Sequence, residues 1–137
     1  MIVPVSKNTF KIKVQEEFVP IANLESLEVS FDSTTETWFA MENEGYQSAL
    51  KTGIAMSISG SAKRTYGDAG NDEIANTMFE VGEACNKEFE WAMPDKNKAT
   101  FEAVVAVDSV GGETTAVDTL NFTLTVIGKP EVEEAGV

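Results

Sequence analysis

The stretch from Thr65 to Pro94, TYGDAGNDEIANTMFEVGEACNKEFEWAMP, decides the fold because it places two hydrophobic periods back to back. Asn71 stands where an N-cap belongs, and Asp72 and Glu73 put carboxylates into the first turn, where the helix dipole favours them. Ile74, Met78 and Val81 then recur at the helical spacing, widened by Ala75 and Phe79, and Gly82 is placed to stop the run. This predicts a helix over residues 71–81. A helix of about three turns is not stable by itself and must lay its stripe on a sheet. From Lys87 the period drops to two: Phe89, Trp91 and Met93 share one face and Glu88 and Glu90 the other.

Outward from this stretch the period of two dominates. Phe10, Ile12 and Val14 alternate with Lys11, Lys13 and Gln15, and Leu27, Val29 and Phe31 alternate with Glu28, Ser30 and Asp32. Ile54, Met56 and Ile58 repeat the pattern, and so do Leu120, Phe122, Leu124 and Val126. Val104 and Val105 make residues 100–107 apolar on both faces, as in a central strand. A further strand is expected near residues 36–40. Residues 31–50 read as one long acidic loop around it, with a helical turn somewhere in residues 42–51. Residues 60–70, rich in Gly, Ser and Asp, read as a second loop. Gly128-Lys129-Pro130 is expected to end the last strand. The reading is a mainly β domain over residues 1–130, sandwich- or barrel-like with one short flanking helix, and a loose acidic tail over residues 131–137.

Composition narrows the function. The 137 residues suit one domain with its own core. No apolar run reaches the roughly 20 residues of a membrane helix, and Met1-Ile2-Val3-Pro4 carries no basic, apolar leader, so neither a membrane nor a secretory route is expected. Ten basic residues against 23 acidic ones give a net charge of −13. Such a surface repels nucleic acid. It serves either plain solubility or a place near DNA without adhesion.

Catalytic equipment is missing. The chain has no histidine, so the commonest general base and zinc ligand are absent and no Ser-His-Asp or Cys-His site can be assembled. The single cysteine, Cys85, has no disulfide partner and reads as a small buried apolar residue of a protein kept in a reducing compartment. Ser48-Ala49-Leu50-Lys51 and Lys51-Thr52-Gly53 match the S-x-x-K and K-T-G motifs of penicillin-recognising enzymes, but they share Lys51 and no S-D-N accompanies them. Asp68, Asn71, Asp72 and Glu73 crowd one loop, yet an EF-hand register fails at Gly70, Glu73 and Phe79. No catalytic residue, cofactor or metal is expected, and the chain reads as a non-enzyme. Trp91 shares the apolar parity of Phe89 and belongs to the core. Trp38, beside Phe39 and without clear alternation, is open to an interface role.

From Lys51 onward the chain resembles the major tail tube proteins of long-tailed bacteriophages. The resemblance is carried by Lys51-Thr52-Gly53 entering Ile54-Ala55-Met56-Ser57-Ile58-Ser59-Gly60, and by the loop Tyr66-Gly67-Asp68-Ala69-Gly70-Asn71 before the helix. Phe89-Glu90-Trp91 before Met93-Pro94 and the final run from Phe122 to Pro130 complete it. It implies a β-sandwich or barrel-like fold related to the tube-forming protein of type VI secretion. It further implies hexameric rings that stack into a tube, inner strands joined between neighbours, and DNA passing through the lumen without specific binding. Partners would be further copies of the chain and the tape-measure, terminator and baseplate proteins. The location would be a virion tail assembled in the host bacterial cytoplasm.

Against that expectation, Glu28 and Asp32 are candidate lumen-facing acids, the alternative being a face that meets bulk solvent. Trp38, Glu42 and Tyr46, in the long loop, are candidates for an inter-subunit contact, since a long loop without its own core is readily ordered by a neighbour. A β-sandwich binding or adhesion module of a virion or cell surface, with the same loop holding a ligand, is the alternative function.

Overall fold

A computed structural model describes residues 1–95 and 97–134. Seven antiparallel strands form one sheet: β1 (Thr9–Val14), β2 (Glu17–Pro20), β3 (Leu24–Phe39), β4 (Gln47–Lys63), β5 (Asn86–Ala92), β6 (Lys98–Gly111) and β7 (Thr119–Glu133). Their order across the sheet is β2-β1-β5-β6-β7-β4-β3, so the apolar β6 is central, as its two-sided valines require. The mainly β reading holds. The sheet is strongly curled, because Phe10 of β1 and Leu27 of β3 line one cleft although four strands lie between them in the sheet. Its concave side holds the core: Ile12, Ile58, Phe89, Phe101, Leu120, Phe122 and Leu124 are buried there. Phe10, Phe89 and Phe101 stack with centroids 5.5 to 6.2 Å apart.

The helix is shorter than its sequence pattern. α1 spans Ala69–Ala75, and Asp68, not Asn71, is its N-cap, the carboxylate accepting from the Asn71 backbone N–H at 2.9 Å. Ile74 and Ala75 are buried and Met78 is half-buried against the core, but Phe79 and Val81 are 92% and 89% exposed. The chain leaves the helix in tight turns instead of continuing the stripe, and Gly82, at φ 78°, opens a 3-10 turn through Cys85. Asn71 is fully buried. Its amide donates to Ala22 O at 3.2 Å and Lys63 O at 2.9 Å, and its Oδ1 accepts from Arg64 Nη1 at 2.9 Å and Thr65 N at 3.0 Å. All four of its hydrogen-bonding positions are filled, and they tie α1 to the end of β4 and to the β2–β3 connection. Arg64 also pairs with Asp72 at 2.8 Å and lies over the Tyr66 ring. Gly70 passes so near the Pro20 carbonyl that an added Cβ would lie 2.4 Å from its oxygen, so this helix docks only with a glycine there.

Three other expectations change. Residues 60–63 are strand, not loop, because Gly60 lets the Phe122 ring pack over β4. Gly128-Lys129-Pro130 does not end β7: the strand continues to Glu133, pairing Glu131, Val132 and Glu133 with β6. The first three residues of the expected loose tail are thus strand, and its last three, like Lys96 in the expected turn after Pro94, lie outside the described residues. Residues 31–50 are not a loop. They form the outer half of a long hairpin of β3 and β4 that pairs from Leu24↔Ala62 to Phe39↔Gln47, with a bulge opposite Thr34 and Thr35. The helical turn expected in residues 42–51 is a 3-10 turn, Met41–Asn43, at its tip. No helix among the described residues is long and apolar enough to cross a membrane.

Candidate assembly surfaces

Strand alternation gives the sheet a second face, opposite the core. Rows run straight across it: Glu28, Ser59, Thr123 and Ala106 in one, and Ser30, Ser57, Thr125 and Val104 in the next. Small, mostly hydroxylated side chains dominate because the pleat alternates with the core positions, and a solvated face selects for no bulk. Glu28 and Asp32 both sit on this face of β3, exposed and two positions apart along one side of the strand. Neither has a cation partner among the described residues. Asp108, which the sequence reading passed over, joins them from the bulge in β6, accepting from Thr123 Oγ1 at 2.6 Å and sharing a shallow depression with Glu28 and Ser59. On β1, Lys13 lies 2.8 Å from Glu88, whose carboxylate accepts its hydrogen bond and raises the lysine pKa above its ordinary value. On the β3–β4–β7 part of this face Lys63, in line with Ser57, Ser59 and Ser61 along β4, lies 3.4 Å from Glu25.

The second surface is the hairpin arm. Beyond Ser33, β3 runs on for six residues to Phe39. At the usual strand rise this carries the tip roughly 20 Å past the core. Every residue from Ser30 to Phe39 is exposed, so no alternation was selected and none was legible in the sequence. Trp38, Glu42 and Tyr46 are brought together at the outer end: Trp38 is 46% exposed opposite Ser48, and Tyr46, 76% exposed, precedes the first paired residue of β4. Asn43 closes the tip with a side-chain hydrogen bond to Ser48. Phe31, Phe39, Met41 and Leu50, in the same segment, add further exposed apolar surface, and Ile54, which lay outside the expected contact loop, extends it. A two-stranded ribbon is marginal in water, and one that leaves this many large apolar groups uncovered is built to be covered.

Among the described residues no group of three or more acids and cysteines could hold a metal ion. Asp68 and Asp72, the loop acids, are engaged: Asp68 accepts from Ala22 N and Asn71 N, and Asp72 from Gly67 N and Arg64. Cys85 is buried, its thiol donating to Glu80 O at 3.3 Å. Trp91 is half-buried against the core, with its indole N–H on Asn8.

No family profile and no curated protein sequence matches the chain. Solved structures do match its fold. A chain in the tail of an empty gene transfer agent particle of C6 symmetry superposes with a TM-score of 0.76 at 22% identity, over 96% of this chain and 99% of that one. A chain in the virion of a native gene transfer agent particle superposes with a TM-score of 0.75 at 23% identity, over 96% and 99%. The chain thus has, over 96% of its length, the fold of a protein found in gene transfer agent particles.

Proposed function

We propose that this chain is the tube subunit of a phage-like tail. Subunits close into six-fold rings, rings stack, and DNA passes through the lumen without being gripped. The observation that carries this reading is the full-length likeness to a chain from a tail of C6 symmetry. The arm supports it physically, because its uncovered aromatics and open strand edges suit a heterologous contact, and such a contact closes into rings or propagates into filaments. The acidic polar face supports it electrostatically, since acids facing a channel repel phosphate. Partners are then further copies along the tube, with a tape-measure protein inside, a terminator at one end and a baseplate at the other. The protein is assembled in the host bacterial cytoplasm and ends in the virion tail.

The arm provides the test. Replacing residues 41–46 by an Asn-Gly turn shortens the hairpin without touching the core. The truncated protein should keep its β-sheet circular dichroism and sediment as a subunit where the full chain forms rings or tubes. Tubes formed unchanged by the truncated protein would overturn the role of the arm.

A further inference from the structure

β4 pairs with β7 only over Ser57–Lys63. Beyond Met56 the two strands part: β4 continues into the arm, while β7 turns to follow β6 to Glu133. The fork between them is an open groove with an apolar lining of Phe31, Ile54, Met56, Val126, Pro130 and Val132. Lys51 and Lys129 line it as well, both exposed and neither paired with an acid among the described residues. Two free lysines on one groove are notable in a chain with ten basic residues and 23 acidic ones. The arm tip carries the complement: Met41, 98% exposed, and Tyr46 flank Glu42 and Glu44, both exposed. The tip lies roughly 20 Å from its own groove by strand rise, so it does not fill it in the same chain.

We propose that the groove between β4 and β7 receives the arm tip of a second copy of this chain, Met41 and Tyr46 entering the apolar floor while Glu42 and Glu44 meet Lys51 and Lys129. This names the contact through which the tube reading assembles and rests on that reading. The contact is heterologous: each copy offers a tip and a groove that different neighbours use, so it propagates.

Charge exchange tests it on the full-length chain. Glu42→Lys with Glu44→Lys gives a basic tip, and Lys51→Glu with Lys129→Glu an acidic groove. Each variant alone faces like charge with like and should raise the critical concentration for assembly at least ~10-fold while its circular dichroism stays that of the parent. An equimolar mixture should assemble again, because each basic tip meets an acidic groove and each acidic tip a basic one. Either variant assembling like the parent, or folded variants that stay apart when mixed, would overturn the contact and leave the tube reading standing. A parent chain that never assembles would remove both. An independent readout needs no charge change: Met41→Cys subunits mixed with Ile54→Cys subunits should join as a disulfide-linked dimer on oxidation, and absence of the mixed dimer from assembled material would equally overturn the contact.

Discussion

Asn71 shows how far a single residue's role depends on partners distant in sequence. An asparagine ahead of two acids reads as a helix cap, and the sequence around it offers nothing else. In the fold, Asp68 caps the helix and Asn71 is buried with all four hydrogen-bonding positions used, two of them by Ala22 and Lys63. Local chemistry identified the right neighbourhood and the wrong member. The consequence is large, because Asn71→Leu removes the partner of donors and acceptors on two segments at once, Ala22 and Lys63–Thr65. The loss should be about 3 kcal/mol or more, lowering the melting temperature by roughly 10 °C for a chain of this size. A thermal melt displaced by less than a third of that would mean water replaces the amide.

At the scale of elements, strands with one buried face were legible and those without were not. β5 alternates against the core and was read nearly in place, and β6 and β7 were read over their core-facing parts but run on beyond them, to Gly111 and Glu133. The arm has no buried face, so no period of two survives in Thr34-Thr35-Glu36-Thr37; apart from the strand expected near residues 36–40, which is the outer part of β3, the segment reads as loop. β2 was missed for a different reason: Gln15 and Glu16, at φ 48° and 71°, make a tight two-residue turn without the Asn-Gly or Asp-Gly that announces one. The helix was over-read because Phe79 and Val81 fall at helical spacing by chance of composition. That difference is measurable. Ile74→Asp puts a charge into the fully buried part of the helix and should cost several kcal/mol, enough to leave little folded protein, whereas Phe79→Asp should stay within ~0.5 kcal/mol of the parent in urea denaturation. Equal costs at the two positions would show that the stripe continues past Ala75.

At the scale of the whole molecule, charge and assembly meet on the polar face. In a ring, the row of small hydroxylated side chains with Glu28 and Asp32 beside it is suited to line the channel. Glu28→Lys with Asp32→Lys should then leave assembly intact, since exposed side chains contribute little to folding, and tubes should bind DNA with a strong salt dependence because every subunit reverses the local potential. Tubes of this variant that ignore DNA at low salt would move the face to the outside. The central claim, that the chain forms a tube by itself, is tested most directly by electron microscopy of the purified protein across a concentration series. The account predicts rings at the onset of assembly and stacked tubes above it, with six-fold symmetry in projection down the axis. Isolated subunits at every concentration, or assemblies without a six-fold axis and an open channel, would contradict it.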